Sequence, residues 1–173
     1  MKMGLGALLA SALPIHAIAS VLGGNSAERS LHLFNTHTNE QLRVCYYRQG
    51  GYCRDGLARI NHILRDHRTG KVAAIDPHLL DLLHTVKGQV QPTEPFHIIS
   101  GYRSPQTNAQ LRKNGTGVAR KSFHTTGEAI DVRLPGYSTK RLRQLCLQMK
   151  AGGVGFYPRS DFVHLDIGPV RSW

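Results

Sequence analysis

Only four residues, Pro158-Arg159-Ser160-Asp161, separate two short apolar runs, Val154 to Tyr157 and Phe162 to Ile167. A join that short closes a hairpin, so the two runs are read as neighbouring antiparallel strands. The same logic applies near the start. Leu31-His32-Leu33-Phe34 and Leu42-Arg43-Val44 flank a turn-like Asn35-Thr36-His37-Thr38-Asn39, and a third short strand follows Gly50-Gly51. Phe96 to Ser100 and Glu128 to Leu134 complete the strand set.

Helices are predicted between them. Leu57, Ile60, Asn61 and Leu64 recur at helical spacing, giving a helix from about Arg54 to Arg68. Asp76-Pro77 and Ser104-Pro105 each read as an N-cap followed by a proline at the first helical position. The second of these helices ends near Asn114-Gly115. Ser138 caps a last helix carrying Leu142, Leu145 and Met149, which stops at Gly152-Gly153. Helices early and strands late, with hairpin joins, predict a single-domain α+β fold with a mostly antiparallel sheet flanked by helices.

Residues 1–23 stand apart. Lys2 precedes a run from Met3 to Leu22 without acid, Lys or Arg, and Ala17-Ile18-Ala19 offers a signal-peptidase site. Residues 1–23 are expected to be an export signal or anchor, and residues 24–173 the working domain. Export places the protein in the periplasm, with membrane contact through residues 1–23 only. Cys45 and Cys53 flank a turn. A hairpin centred near Gln49 would set them face to face, where a disulfide could form in an oxidising compartment. Cys146 falls among apolar residues at helical spacing and reads as core. No CxxC pair supports a thiolate zinc site.

The net charge is +11, from 22 Lys and Arg against 11 Asp and Glu. That points to an anionic partner. The basic residues are scattered, and no aromatic-rich strand resembles an RNA-binding signature, so nucleic acid is not expected. Anionic lipid and cell-wall polymer remain, beside a generally basic surface with no specific role.

Two segments carry chemistry: Ser122 to Asp131, with His124 and Gly127, and Asp161 to Asp166, with His164. Two imidazoles and one carboxylate would give zinc three ligands and leave a position for water. Ala129 and Asp131 share one strand face, and so do Phe162, His164 and Asp166. Asp161, at the strand's entry, could act as general base. Arg103, just past the strand ending at Ser100, could steady an oxyanion. Spacing alone does not single this trio out, because ten histidines make chance pairings easy. His32, His37, His62, His67, His78, His84 and His97 read as packing or solvated residues.

The stretches Ser100-Gly-Tyr-Arg-Ser104, Ser122-x-His124-x-x-Gly127-x-Ala129-x-Asp131 and Asp161-x-x-His164-x-Asp166 resemble the D-Ala-D-Ala metallopeptidase family. Asn61-His62-x-Leu64-Arg65-Asp66, Ile75-Asp76-Pro77, Gly152-Gly-Val-Gly-Phe-Tyr-Pro-Arg159 and Gly168-Pro-x-Arg171-x-Trp173 resemble its murein endopeptidase K branch. The resemblance implies the hedgehog/D,D-peptidase type of fold and one Zn2+ held by His124, Asp131 and His164. It also implies Asp161 as base and Arg103 as transition-state stabiliser, although the base position is not always acidic in that branch. The implied substrate is the peptide stem of peptidoglycan, cut at cross-links between two diaminopimelate residues. A carboxypeptidase, or a binding module that keeps the metal without hydrolysis, would share this core. A twin-arginine signal is common in the branch, whereas only Lys2 precedes the apolar run here. Tyr102, Ser122, Tyr157 and the loop from Gly115 to Lys121 are the expected substrate contacts, on a protein expected to be monomeric.

Overall fold

The structure, a computed structural model, describes residues 28–115 and 118–173. Residues 1–23, expected to be an export signal or anchor, lie outside the described residues, as do Thr116 and Gly117 of the basic loop. Eight strands form one sheet in the order β3-β2-β1-β4-β5-β7-β6-β8. They are β1 (Arg29–Asn35), β2 (Gln41–Arg48), β3 (Gly51–Tyr52), β4 (Phe96–Ser100), β5 (Ala129–Arg133), β6 (Gly153–Tyr157), β7 (Phe162–Asp166) and β8 (Arg171–Ser172). The β1/β4 and β6/β8 pairs are parallel and the rest antiparallel. The expected α+β architecture is therefore present, with a mixed but mostly antiparallel sheet.

Among the described residues four helices accompany it: α1 (Arg54–Ile63), α2 (Pro77–Val90), α3 (Pro105–Lys113) and α4 (Thr139–Met149). Asp76 accepts a hydrogen bond from His78 N and Ser104 accepts one from Thr107 N, so both cap-then-proline starts act as predicted. Ser138 occupies the N-cap position of α4 but makes no side-chain cap bond. The α1 helix stops at Ile63, five residues before the predicted end at Arg68. Asp66 is the cause. Its carboxylate accepts the N–H groups of Arg68 and Thr69, and its own N–H donates to Lys71 O, which closes a turn in competition with the helix.

Alternation along the strands sorts the sheet into two faces. Leu31, Leu33, Val44, Tyr46, Ile98, Ile130, Val132, Val163 and Leu165 are buried against Ile60 and Ile63 of α1, Leu79, Leu80, Leu83 and Val86 of α2, and Leu142 and Cys146 of α4. That layer is the core, and the opposite face carries the polar and aromatic residues. Among the described residues no helix is long and apolar enough to cross a membrane.

The β2–β3 hairpin turns one half-step later than a centre at Gln49. Tyr47 pairs with Tyr52 and Arg48 with Gly51, leaving Gln49 (φ 52°) and Gly50 (φ 81°) as a two-residue turn with both φ positive. Cys45 therefore does not lie directly across from Cys53. Both thiols are free, and Cys45 donates to Tyr47 O at 3.3 Å.

Candidate metal centre

Asp131 and His164 are cross-strand partners at the middle of β5 and β7, on the face away from the helices. The ladder alone therefore brings the carboxylate and one imidazole together. His124 arrives from a single 3-10 turn, Phe123–Thr126, just before β5. Ser122 caps that turn by accepting His124 N, and Gly127 ends it at φ 76°. A Cβ at Gly127 would lie 2.1 Å from Ala74 O, so glycine is needed both for the left-handed turn and for the close approach.

As whole residues, His124, Asp131 and His164 are 2%, 6% and 8% exposed. His124 Nε2 lies 3.2 Å from His164 Nδ1 and 3.3 Å from Asp131 Oδ1, and His164 Nδ1 lies 2.9 Å from that oxygen. The outer ring nitrogens are already committed. His124 Nδ1 is 2.8 Å from Gly101 O, and His164 Nε2 is 2.9 Å from Asp166 Oδ2. Both partners can only accept, so each imidazole donates outward and turns a lone pair inward. Two lone pairs and a carboxylate oxygen then converge within about one hydrogen-bond length of each other. A cation between them resolves that repulsion. Zinc–nitrogen and zinc–oxygen bonds of about 2.0–2.2 Å at tetrahedral angles set ligands roughly 3.3 Å apart, so the donor set fits such an ion. His124, Asp131 and His164 are also the one His/Cys/Asp/Glu group among the described residues with metal-holding geometry.

Electrostatics agree. Burial pushes the Asp131 carboxyl up, but His124 and His164 more than offset this and hold it well below the usual carboxylate range. Burial pushes His164 down, while the Asp131 and Asp166 carboxylates beside it raise it further than burial lowers it.

Arg103 stands beside the trio. Its backbone is fixed at three successive residues: Tyr102 N donates to Leu64 O, Arg103 N to His124 O, and Ser104 N to Asp66 Oδ2. Its Nη2 lies 3.6 Å from Asp131 Oδ2, and its Nε is buried with no hydrogen-bond partner among the described residues. Burial lowers its pKa and Asp131 raises it, and a guanidinium stays charged throughout. Nη2 also donates to Ser100 Oγ at 3.4 Å, and a buried guanidinium that keeps one donor unpaired beside a metal-type site is suited to an oxyanion.

A cleft of about 370 Å³ opens over these groups, lined by Ser122, Tyr157, Phe162, Lys121 and Trp173 among others. Ser122, Tyr157 and Lys121, expected as substrate contacts, line this cleft. Tyr102 does not; it packs against the hydrophobic core. Asp161 is not part of the cleft lining either. Its carboxylate accepts from Thr139 Oγ1 at 3.0 Å and lies 3.9 Å from Arg133 Nη1.

Three residues that the sequence reading left without a role complete the centre. Asp166 is fully buried and accepts from His164, from both terminal nitrogens of Arg171, and from the N–H groups of Gly153 and Gly168. Arg171 thereby neutralises the carboxylate that orients a ligand. Trp173 lays its ring 5.2 Å from that of His164 and donates Nε1 to the Tyr157 hydroxyl at 3.0 Å. Gly155 makes room for it, because a Cβ there would lie 2.7 Å from the indole. The visible signal was the alternation His164-x-Asp166 and the terminal Arg171-x-Trp173.

A buried His-Asp-His set that could hold a metal ion, with an adjacent arginine, is the kind of site a metallopeptidase carries. The chain belongs to the family described as peptidoglycan L,D-endopeptidase MepK, whose model matches residues 24–173. It is 44% identical over 167 residues to peptidoglycan L,D-endopeptidase MepK of Escherichia coli (strain K12), covering 96% of this chain and 91% of that protein. The Shigella flexneri protein of the same name matches to the same extent. The probable peptidoglycan L,D-endopeptidase MepK of Haemophilus influenzae is 34% identical over 168 residues, covering 96% of this chain and 89% of that protein. No solved structure matches the chain significantly.

Proposed function

We propose that the protein is a zinc-dependent peptidoglycan endopeptidase that hydrolyses peptide cross-links, with diaminopimelate–diaminopimelate bonds as its substrate. The observation that carries this is the convergence of His124 Nε2, Asp131 Oδ1 and His164 Nδ1 beside the unpartnered Arg103 Nε. Zinc held by these three ligands supplies Lewis acidity and lowers the pKa of a coordinated water to about 7. The chain's own residues do the rest. Asp166 and Gly101 fix the two imidazole tautomers. Arg103 donates to the oxygen that gains charge as the carbonyl is attacked. Ser122 and Tyr157 line the space that the substrate peptide takes.

Asp161 is the base in this reading, and it takes the attacking water's proton after leaving Thr139. The fold is of the hedgehog/D,D-peptidase type, and the protein works as a monomer in the periplasm. Residues 1–23 serve as an export signal, in keeping with a family match that begins at residue 24. Incubating purified protein with diaminopimelate-type peptidoglycan and analysing released muropeptides by mass tests the proposal. Cleaved cross-links should appear, and chelation or His164→Ala should remove them; an unchanged product profile after either treatment sinks the idea.

One observation favours a second reading. With Asp161 held outside the cleft by Thr139, the chain could retain the metal and bind cell-wall peptide without cutting it. Retention on peptidoglycan without any product, zinc being present, would establish that role instead.

A further inference from the structure

The sheet face that carries the centre continues past it, on the side away from the core helices. Cross-strand register lines up one row of side chains across this face. Tyr157 lies opposite Phe162, Arg133 opposite His97, His97 beside Phe34, and Phe34 opposite Gln41. Arg133 and Phe162 occupy the next rung after the Val132–Val163 pair of β5 and β7, which joins the two halves of the row. The rings touch: Tyr157 stacks on Phe162 at 4.5 Å and Phe34 packs on His97 at 4.9 Å. One end of the row is therefore the wall of the catalytic cleft. In its middle is a second groove of about 530 Å³, lined by His97, Arg133, Tyr137, Thr139 and Asp161.

Within this second groove Thr139 donates to Asp161, while the Arg133 and His97 side chains keep their donors. Neither the Arg133 guanidinium nor the His97 ring hydrogen-bonds to any described residue. The carboxylate nearest Arg133, that of Asp161, stands at 3.9 Å, beyond hydrogen-bond reach, and the arginine side chain is 36% exposed. Burial and the Arg133 charge lower the His97 pKa, and the Glu94 charge offsets part of this. A peptide cross-link extends from its scissile bond in two directions, and the first cleft lies on only one side of β7's Phe162.

We propose that the row Phe34–His97–Arg133 is a second binding groove, for the carboxylate-bearing peptide arm of a cross-linked substrate on the far side of the scissile bond. Arg133 forks to a carboxylate of that arm, and the ring faces of Phe34, His97 and Phe162 pack on its amide planes and methylenes. The assignment rests on the peptidoglycan reading above, and it is the continuity of the row with the cleft and a guanidinium held only by a 3.9 Å ion pair to Asp161 that carry it.

The test is co-sedimentation of the full chain with insoluble diaminopimelate-type peptidoglycan, in a His164→Ala background that prevents turnover. Native walls are compared with walls whose carboxylates have been amidated. Arg133→Gln should weaken retention about tenfold on native walls and have little effect on amidated ones, with Arg133→Lys recovering part of the loss. Phe34→Ala should weaken retention on both. Arg59→Gln removes the same charge from α1, on the helical side, and should change retention less than twofold. Equal losses from Arg133→Gln and Arg59→Gln, or an equal loss on native and amidated walls, would overturn the groove and leave only general attraction to a basic protein. Turnover by the unmodified chain is followed separately by product mass, so hydrolysis and the groove can fail independently.

Discussion

Asp166→Asn isolates what the outer partner of a ligand does. Asp166 accepts five hydrogen bonds in a fully buried position. With its oxygen left at the Oδ1 position, asparagine keeps those from Gly153, Gly168 and Arg171 Nη1. The new amide NH2 then stands at the Oδ2 position, against two donors, Arg171 Nη2 and His164 Nε2–H. Arg171 is 39% exposed at its side chain and can turn to water. His164 cannot, so its proton moves to Nδ1, and Nε2 accepts from the amide. Nδ1 is the atom that faces Asp131 and His124. Binding a metal there now requires the original tautomer, with two buried donors opposed, a penalty of about 1–3 kcal/mol. That is roughly a 10- to 100-fold rise in zinc Kd, the range typical of outer-partner substitutions at metal histidines. Competition against a chromophoric chelator at neutral pH measures it directly. A zinc Kd within twofold of the parent, in a variant that still unfolds cooperatively, would refute the tautomer argument and reduce Asp166 to a packing role.

Gly127→Ala forces a Cβ to 2.1 Å from Ala74 O at φ 76° and should destabilise the fold by at least about 2 kcal/mol, read from urea unfolding. Arg103→Lys keeps the charge but not the fork, and should lower kcat about 100-fold with zinc affinity unchanged. Asp161→Asn should also lower kcat about 100-fold if Asp161 is the base; a loss under tenfold moves that role elsewhere. Asp66 is pushed up by burial, but bonds from Ser104, Thr107 and the backbone hold it well below the usual carboxylate range. A depressed carboxyl adds stability above its unfolded pKa of about 3.9 and loses it as pH falls. Asp66→Asn should therefore lower the urea midpoint at pH 7 and show a narrower gap to the parent at pH 3; an equal gap at both pH values would contradict the linkage.

The sequence made most of this centre legible through strand alternation. Asp131 and His164 were placed on strand faces, and the ladder then sets them on one rung. Asp161 shows where alternation fails. It sits in a turn at φ 50°, and a left-handed residue does not follow the in-out pattern of the strand it precedes. Its side chain consequently leaves for Thr139. The hairpin at Gln49-Gly50 is a related case, since a shift of half a residue in the turn centre moves Cys45 and Cys53 out of opposition. The convergence of Arg171 and Asp166 depends on β8 pairing in parallel with β6, a long-range contact that no local pattern announces. The early end of α1 was hidden for a different reason, because Asp66 spends its carboxylate on a turn while its apolar neighbours keep helical spacing.

The two faces of the sheet have opposite requirements, and that asymmetry explains why the chemistry lies where it does. The helical face must be dry and apolar, and buried polar atoms there are few, His84 Nδ1 and Arg143 Nε being the ones left without a partner among the described residues. The open face can hold charged donors without acceptors because substrate or water completes them. Arg103 Nε and the Arg133 guanidinium, which has only a 3.9 Å ion pair to Asp161, are such donors, one beside the His-Asp-His trio and one along the row that leads from it. Both residues sit on or next to central strands, so neither depends on a mobile loop for its position. An anionic ligand that satisfied the two together would span the scissile bond. A small substrate able to reach only Arg103 should accordingly be cut with a higher KM than a cross-linked one, and with a similar kcat if the chemistry resides at Arg103 and the trio alone.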